Sequence, residues 1–423
     1  MSEVAQAPHS SPDGHIPQLR FPEFNVSWNE YKLGSITDVV DSLHTTPKDY
    51  VSSGFPMIRV VDVNNIELDL NKCLNVSEET YRQFTKKYQP KVGDVVLSRV
   101  GTCGASIMLR TKDNVCLGQN TVLLHPKINK DFYHILVKSN IFQVQVSRRV
   151  VGSTQKTLSL KDLKLFKLNI PAKPEQQKIA EFLTAVDNKI EQLSKKQALL
   201  GEYKKGLMQQ IFSQAIRFKA DDGSDFPDWE EVKLGNIGEF KTSSVDKKIV
   251  EGQKLIQLVN YMNVYKHENI KNNSTKDLMI VSANETQLNA SDLKKGDILF
   301  TPSSETPDDI GHSVVIFEDL MDTLYSYHLM RFRPKVQLDI LYSHYFCNIP
   351  DVLRQISRVA TGSTRFTISV GEFSKIQINL PSLLEQTKIA NFLSAIDNKI
   401  EKVGKQLVES KQFKKALLQQ MFV

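Results

Sequence analysis

The sequence predicts an α+β fold: two similar globular domains, each followed by a long helix, with the two helices paired as an antiparallel coiled coil within the chain. The first observation is a repeat, because P-x-x-x-E-Q-x-K-I-A-x-F-L-x-A-[VI]-D-N-K-I-E begins at Pro171 and again at Pro381. The second is that short β-branched segments bounded by Gly, Pro or Asn precede each copy. The third is an apolar stripe at helical spacing along each copy. Such a chain contains two versions of one structural unit, a globular domain followed by a long helix.

Size and composition limit the class of protein. A length of 423 residues suits two or three domains, and a hydrophobic fraction of 40% is enough for packed cores. The four cysteines form no C-x-x-C pair and have no His at metal spacing, which predicts a reduced, cytoplasmic protein without structural zinc. No apolar run has membrane-spanning length and the N-terminus lacks a signal-peptide pattern, so we expect no membrane partner.

The charge is modestly basic and unevenly distributed. The net charge is +6 overall, made of +7 for residues 1–212 and −1 for residues 213–423. A nucleic-acid partner would suit the first half. Net charge alone does not indicate such a partner for the second half.

The repeat divides the chain into five segments. They are a flexible tail at 1–17, a first globular domain at 18–170, a first spacer helix at 171–215, a second globular domain at 216–380 and a second spacer helix at 381–423.

Three shorter motifs also recur within the globular domains. They are W-x-x-x-K-L-G at 28–34 and 229–235, a Gly-Asp pair after Lys at 93–94 and 296–297, and G-S-T at 152–154 and 362–364. The offset between copies grows from 201 residues at the first motif to 210 at the third. Insertions have therefore accumulated inside the globular domains, whereas the segment from G-S-T through the long helix keeps one register.

Strands are predicted between these motifs at 56–63, 92–100, 121–125 and 164–170, and their expected counterparts are 254–259, 297–300, 313–317 and 375–380. A helix is predicted at 132–148, and a pair of helices broken near Pro350 is predicted at 340–359.

Each long segment has apolar residues stepping by four and three, the pattern of a coiled-coil seam. The seam residues, which we also assign to partner docking, are Ile179, Leu183, Val186, Ile190, Leu193, Ile389, Leu393, Ile396, Ile400 and Val403. A lone amphipathic helix of this length cannot bury its stripe, so the two helices should pack on each other. Chain economy favours the antiparallel arrangement, with the globular domains at opposite ends. The alternative is two separate domains, each with its helix folded on its own sheet.

The sequence lacks a convincing catalytic constellation. It contains no N-P-P-[YF], no H-E-x-x-H and no Walker lysine, and the loose glycine run at 101–104 is replaced in the second copy by T-P-S-S-E-T-P. An enzyme made by duplication would normally keep its catalytic residues in both copies. We therefore expect no catalytic residues and no metal ligands in this chain.

The loops that differ between the copies carry hydroxyl, amide and guanidinium groups, which are suited to base edges and phosphates. The candidate DNA-binding residues are Ser98, Arg99, Thr102, Arg148, Arg149, Ser153, Thr154, Gln155 and Lys156 in the first domain, and Thr301, Ser303, Ser304, Arg354, Arg358, Ser363, Thr364 and Arg365 in the second. The alternative for each is structural, because Ser and Thr cap turns and Arg pairs with surface acids.

These motifs together resemble the specificity subunit of type I restriction–modification systems. The resemblance rests on G-S-T-x-x-x-[LI]-S, then N-[IL]-P, then E-Q-x-K-I-A-x-F-L-x-x-[VI]-D-x-K-I, with openings L-R-F-P-E-F and F-P-D-W-E-E-V-K-L-G, and it covers residues 17–423.

The resemblance implies two target recognition domains, each reading one half of a split double-stranded DNA site. It implies that the coiled coil sets the gap between the halves and docks two modification subunits, which bind S-adenosylmethionine and methylate adenine. Restriction subunits that use ATP and Mg would complete the enzyme, and this chain would hold no cofactor and be non-catalytic. Two rival interpretations are a bivalent coiled-coil scaffold that binds protein partners through its two heads, and an enzyme with an unrecognised site at the domain junction.

Overall fold

A computed structural model describes residues 16–63, 68–150, 156–268, 270 and 277–423. The described residues form two compact units. The first contains residues up to 195 together with 404–423, and the second contains 196–403. Each unit therefore holds one globular head and part of each long helix.

The strands of the first head are β1 (Asn29–Lys32), β2 (Thr37–Asp41), β3 (Phe55–Ile58), β4 (Leu74–Val76), β5 (Val95–Ser98), β6 (Ser106–Met108), β7 (Cys116–Leu117), β8 (Thr121–Pro126) and β9 (Lys167–Ile170). Its helices are α1 (Leu33–Ile36), α2 (Val60–Val63), α3 (Glu78–Thr85), α4 (Lys130–Lys138), α5 (Asn140–Arg149) and α6 (Leu160–Lys164), followed by the first long helix, α7 (Lys173–Phe212). A 3₁₀ turn covers Leu70–Lys72.

The strands of the second head are β10 (Glu230–Lys233), β11 (Gly238–Thr242), β12 (Lys254–Val259), β13 (Met279–Ala283), β14 (Ile298–Phe300), β15 (Ser303–Ser304), β16 (Ser313–Val315), β17 (Thr323–Tyr325), β18 (Met330–Pro334), β19 (Phe366–Thr367) and β20 (Gln377–Leu380). Its helices are α8 (Leu234–Ile237), α9 (Tyr261–Tyr265), α10 (Glu285–Ala290), α11 (Ile340–Phe346), α12 (Pro350–Val359) and α13 (Val370–Lys375), followed by the second long helix, α14 (Leu383–Gln420). A 3₁₀ turn covers Pro307–Asp309.

The two heads share one sheet topology. The first head has a four-stranded sheet in the order β2-β8-β5-β6, a three-stranded sheet β4-β3-β7 and a ladder β1-β9. The second head repeats these as β11-β18-β14-β16, β13-β12-β17 and β10-β20, and adds a short pair, β15-β19. The duplication inferred from sequence therefore extends to the order of strands in both heads, and the predicted α+β class is confirmed.

Strand pairing corrects one predicted correspondence. The sequence matched 121–125 with 313–317, but β8 pairs with both β2 and β5, and the strand that pairs in the same way in the second head is β18. The segment Ser313–Val315 is the edge strand β16 and corresponds to β6. Both matched segments are apolar and β-branched, so composition could not separate a central strand from an edge strand.

Several helix and strand limits also differ from prediction. The predicted strands at 164–170 and 375–380 begin only at Lys167 and Gln377, because their first residues end helices α6 and α13. The predicted strand at 56–63 ends at Ile58 and continues as helix α2. The predicted single helix at 132–148 is two helices, because Ser139 has extended backbone and its buried hydroxyl accepts from the Phe142 amide at the start of α5. The predicted break of the second pair near Pro350 is confirmed.

The glutamine of each long-helix motif joins the helix to its head through two hydrogen bonds. Gln176 Oε1 accepts from the Asn129 amide at 3.1 Å, and its Nε2 donates to the Pro171 carbonyl at 2.9 Å. In the second unit Gln386 makes the same two bonds, at 3.0 Å and 2.9 Å, to Asp339 and Pro381. Because these amides are buried, their hydrogen bonds cannot be replaced by water without opening the joint.

In the first unit the start of α7 packs on the end of α14. Ile179 and Leu183 share one core with Leu417 and Met421, together with residues of the first head. An ion pair between Asp187 and Lys414 continues the contact. Rising residue numbers on α7 meet falling numbers on α14, so this pair is antiparallel.

The second unit contains the equivalent pair, built from the end of α7 and the start of α14. Ile211 lies in the same core as Ile389 and Leu393. Lys204 Nζ lies 2.6 Å from Asp397 Oδ1, and the offset of 210 that relates Asp187 to Asp397 also relates Lys204 to Lys414. Both units thus use the same antiparallel register, which is the arrangement that chain economy favoured. Of the helices that the structure describes, none is long and apolar enough to cross a membrane.

Candidate nucleic-acid interface

The Gly-Asp motif positions the strand that leads into the predicted site of each head. Gly93 has φ +90°, a conformation that favours glycine, and lets the buried Asp94 accept from the Lys91 amide at 2.8 Å. Asp94 Oδ1 also lies 2.6 Å from His125 Nδ1 on β8. This buried carboxylate therefore sets both the turn before β5 and the packing of β8 beside it.

The second head repeats this turn, with Arg333 in the place that His125 holds in the first head. Asp297 accepts from the Lys294 amide at 2.8 Å and from Arg333 Nε and Nη2, each at 2.7 Å. The hydrogen bond to Asp297 raises the pKa of Arg333. The Gly-Asp pair that both copies keep therefore has a structural role, since it forms the turn before the strand.

In the first head, two loops predicted to contact DNA lie side by side. The amide of Gly101 donates to the Lys156 carbonyl at 3.3 Å, and the Leu158 amide donates to the Arg99 carbonyl at 2.9 Å. The loop after β5 is thereby held against the segment that follows G-S-T. The side chains of Thr102 and Lys156 are exposed on these joined loops. Residues Ser153, Thr154 and Gln155 lie outside the described residues.

The guanidinium of Arg99 is engaged inside the head. Its Nη1 lies 2.6 Å from Asp41 Oδ1, its Nε donates to the Leu158 carbonyl at 3.1 Å, and the side chain is 13% exposed. Ser98 is fully buried and its hydroxyl donates to the Val100 carbonyl at 3.0 Å. In this conformation both residues hold the loop, and neither presents its polar atoms to a ligand.

The two arginines at the end of α5 have different surroundings. Arg149 lies over the Phe166 ring at 5.0 Å and its Nη1 lies 3.3 Å from Gln145 Oε1. Arg148 is exposed, and Arg358 is exposed at the equivalent position on α12. Both heads therefore have an exposed arginine at this position, Arg148 in the first and Arg358 in the second.

In the second head the corresponding loops form a short β-pair. Ser303 lies opposite Thr367, Ser304 lies opposite Phe366, and Arg365 Nη2 donates to Ser303 Oγ at 3.0 Å. Arg365 itself is exposed. As in the first head, the loop after the central strand is joined to the loop that follows G-S-T.

The remaining predicted residues of the second head divide by burial. Thr301 is fully buried and, within the described part of the chain, its hydroxyl has no hydrogen-bond partner, while Ser304 is also buried. Ser363 and Thr364 are exposed beside Arg365. Arg354 is exposed and its Nη2 lies 3.3 Å from Asp351 Oδ1.

Sequence reasoning missed an aromatic and histidine cluster near Arg365. Tyr261 stacks on Tyr265 with ring centroids 5.8 Å apart, and the Tyr265 hydroxyl donates to Asp309 Oδ2 at 3.2 Å. Asp309 Oδ1 also lies 2.8 Å from His312 Nε2. The Tyr261–Tyr265 spacing of four residues was the available signal, but their helix, α9, is too short to show periodicity.

His328 lies near Lys247 and Arg365, which come from other loops. His328 stacks against Tyr327, with ring centroids 3.9 Å apart. Burial, with the charges of Lys247 and Arg365 nearby, lowers the pKa of His328. Lys247 and Arg365 therefore bring positive charge to this part of the second head, although residues 213–423 have a net charge of −1.

The ten seam residues lie inward along the long helices. Seven are buried, and Val186, Ile190 and Ile400 are half-buried. Their apolar atoms pack within the chain, so any partner must contact other faces of α7 and α14. Among the described residues, no group of three or more His, Cys, Asp or Glu side chains is placed to hold a metal ion.

The family model for the type I restriction modification DNA specificity domain matches this chain twice, at residues 25–200 and 227–410. The chain belongs to the type I restriction–modification specificity family. It is 26% identical to the type I restriction enzyme MjaX specificity subunit of Methanocaldococcus jannaschii, over 96% of this chain and 93% of that protein. It is 30% identical to the type I restriction enzyme EcoBI specificity subunit of Escherichia coli, over 36% of this chain and 33% of that protein.

Solved structures show the same fold. The type I restriction–modification S subunit from M. genitalium matches with a TM-score of 0.58 and 15% identity, over 96% of this chain and 99% of that one. A second match comes from a structure titled for complex assembly and conformational transition of the type I R-M system, with a TM-score of 0.56 and 14% identity, over 92% of this chain and 96% of that one. The chain is thus a type I specificity subunit, and its two heads are target recognition domains.

Proposed function

We propose that each target recognition domain reads one half of a bipartite double-stranded DNA site through its joined loops. The observation that carries this proposal is the pairing of the same two loops in both heads, at Val100 with Thr157 and at Ser303 with Thr367. The strand order of the sheets that hold these loops is the same in the two heads. The exposed side chains on the loops differ. Side chains that differ on an equal frame are suited to reading two different sequences.

The chemistry of the exposed groups fits contacts to both phosphates and bases. Lys156, Arg148, Arg358 and Arg365 offer cations for phosphate oxygens, and the arginines can also donate two hydrogen bonds to a guanine edge. Thr102, Ser363 and Thr364 offer hydroxyls. Joining two readers in one molecule makes the second contact intramolecular, which raises affinity for the complete site.

The long helices set the gap between the half-sites and dock two modification subunits in this proposal. Those subunits bind S-adenosylmethionine and methylate adenine, and restriction subunits supply ATP- and Mg-dependent cleavage. The specificity subunit itself takes no catalytic step. The antiparallel helix pairs support the ruler role, because a helix advances by a constant 1.5 Å per residue.

Methylome sequencing of a host with and without this gene and its modification partner tests the proposal. We expect one asymmetric, two-part motif with a constant gap to gain adenine methylation. A continuous motif, or no new motif, would overturn the proposal. A parallel binding measurement should show affinity for the motif falling steeply as salt rises, because the released counterions report phosphate contacts.

A further inference from the structure

The short β-pair that joins the two loops of the second head leads into two exposed side chains of opposite charge. β15 and β19 run antiparallel, with Ser304 opposite Phe366. Continuing that register by one residue brings Glu305 opposite Arg365, and both residues are exposed. Side chains directly opposite one another on antiparallel strands have Cβ atoms about 5 Å apart. The joined loops therefore present a carboxylate and a guanidinium side by side.

The backbone that carries Arg365 is fixed by a tight turn. Thr361 and Thr367 exchange two backbone hydrogen bonds, at 3.0 Å and 2.9 Å, across the residues between them. Gly362, the first residue of G-S-T, has φ +145°, and a Cβ there would lie 2.0 Å from the Arg365 carbonyl oxygen. Glycine is therefore required at this place, because it lets the backbone of the turn close tightly beneath Arg365.

The guanidinium of Arg365 is steered by one hydrogen bond and keeps most of its donors. Its Nη2 donates to Ser303 Oγ at 3.0 Å, and Ser303 is buried. Among the residues that the structure describes, Nε and Nη1 have no hydrogen-bond partner. Arginine binds the O6 and N7 acceptors of guanine through two such donors. Ser303 thus acts as a positioning residue for a group that is ready to bind a base edge.

Glu305 is a second charged group on the same surface. Burial, followed by the charge of Asp309, raises the pKa of the Tyr261 hydroxyl, and the charges of Arg365 and Glu305 also act on it. The four side chains therefore lie close together. No ion pair of Glu305 occurs within the described ranges of the chain. The corresponding run of the first head, 98–105, contains no Asp or Glu, so this acid belongs to one head alone.

A carboxylate at a DNA surface has few favourable partners. It repels phosphates, and it also repels the acceptors of guanine and the O4 of thymine. Its favourable partners in the major groove are base amino groups, and the cytosine N4 amino group is the usual one for Glu. A single G·C pair offers that donor beside the two acceptors that an arginine needs. The neighbouring charges of Glu305 and Arg365 match this pattern of donor and acceptors.

We propose that Glu305 and Arg365 together read G·C in the half-site of the second head, with Glu305 accepting from cytosine N4 and Arg365 donating to guanine. This inference rests on the proposed function, which supplies the DNA, and it adds Glu305 as a specificity-determining residue and names the base pair. Glu305 contributes discrimination and opposes general affinity, because its charge repels the phosphates of any sequence. Arg365 contributes to both.

The test uses the full-length chain with its modification subunit and measures binding to DNA that carries the methylated motif, with each base pair of the motif changed in turn. Glu305→Ala should lower discrimination at one G·C pair by roughly tenfold, without lowering affinity for DNA that lacks the motif. Arg365→Ala should lower discrimination at the same or the adjacent pair and also weaken binding. Glu251→Ala is the matched control and should bind like the wild type, because exposed Glu251 precedes β12 whereas Tyr261 follows it, at the other end of that strand.

Each other outcome overturns a defined statement. Unchanged discrimination in Glu305→Ala, or a loss at an A·T pair, would overturn the proposed reading of G·C while a two-part motif still supported the proposed function. Equal losses at both half-sites would give Glu305 a structural role instead. If the wild-type chain yields no two-part motif, the proposed function fails, and the inference fails with it.

Discussion

Removing Arg20 should destabilise the first unit by about 3–5 kcal/mol, the usual cost of leaving a buried charge without its partner. Glu175 lies in the first turn of α7 and its side chain is 2% exposed. Arg20 Nε and Nη2 donate to its two carboxylate oxygens, each at 2.7 Å. Arg20→Ala leaves the carboxylate buried with only the helix dipole to offset its charge, which is worth roughly 1 kcal/mol or less.

The second unit provides a matched comparison. Arg217 Nη2 lies 2.9 Å from the fully buried Glu385, and Trp229 Nε1 also donates to that carboxylate at 3.0 Å. Arg217→Ala therefore keeps one hydrogen bond to the carboxylate and should cost about 1 kcal/mol less than Arg20→Ala. In the described part of the first unit, the equivalent Trp28 Nε1 is buried without a hydrogen-bond partner.

Urea unfolding and calorimetry measure these costs. Arg82→Ala is the control, because Arg82 pairs with Glu78 at 2.6 Å on an exposed helix face and such pairs contribute about 0.5 kcal/mol or less. Adding Glu175→Gln to Arg20→Ala should recover more than half of the loss by removing the buried charge. The reasoning is refuted if Arg20→Ala costs no more than Arg82→Ala, or if Glu175→Gln makes the Arg20 variant worse.

Three further predictions concern half-site reading, the gap and pH. Arg365→Ala should weaken recognition of one half-site by about 1–3 kcal/mol, the cost of losing two hydrogen bonds to a guanine edge, measured with DNA carrying one altered half at a time. Lys156→Ala removes a phosphate contact at the other half-site and should lower the salt dependence of binding. Inserting seven residues at Gly201 and seven at the equivalent position of α14 keeps the coiled-coil seam and should lengthen the methylated motif's gap by about three base pairs, from a rise of 1.5 Å per residue. Burial, reinforced by nearby Lys138, Arg110 and Lys414, lowers the pKa of His134 to about 3. The unfolded chain then binds the extra proton between pH 6.5 and about 3, so the free energy of unfolding should fall as pH drops, by roughly 2 kcal/mol at pH 5, and His134→Leu should flatten that decline in pH-dependent unfolding.

A different result would contradict each of these three predictions. Equal losses at both half-sites would argue against separate readers. A changed half-site sequence after the insertion, with the gap unchanged, would remove the ruler role from the long helices. A His134→Leu variant that loses stability on acidification as steeply as the wild type would assign that loss to other groups.

Much of the frame could be predicted because its signals are local or repeated. The heptad steps, the Gly-Asp turns and the Glu-Gln pairs each depend on neighbours within a few residues, and each occurs twice. Chain economy favoured the antiparallel pairing, since the first long helix leads directly into the second head.

The site was less predictable because its residues are brought together from distant segments. The Arg99 guanidinium is held inside the head by Asp41, 58 residues earlier, and by the Leu158 carbonyl, 59 residues later. A pattern of Ser, Thr and Arg in a loop does not show whether a guanidinium faces solvent or an acid of the same head. The counterpart of β8 was misassigned for a related reason, since strand order is a property of pairing.

The sequence by itself determined the duplicated α+β architecture, the two long helices and the family, because apolar periodicity and repeated motifs are written along the chain. Only the tertiary structure decided which polar side chains remain available to a ligand. It turned Arg99 and Ser98 inward, left Lys156 and Arg365 exposed, and placed Tyr261 near the latter. The physical reason is that exposure and charge pairing depend on contacts between residues far apart in sequence, and these contacts exist only once the sheets have assembled.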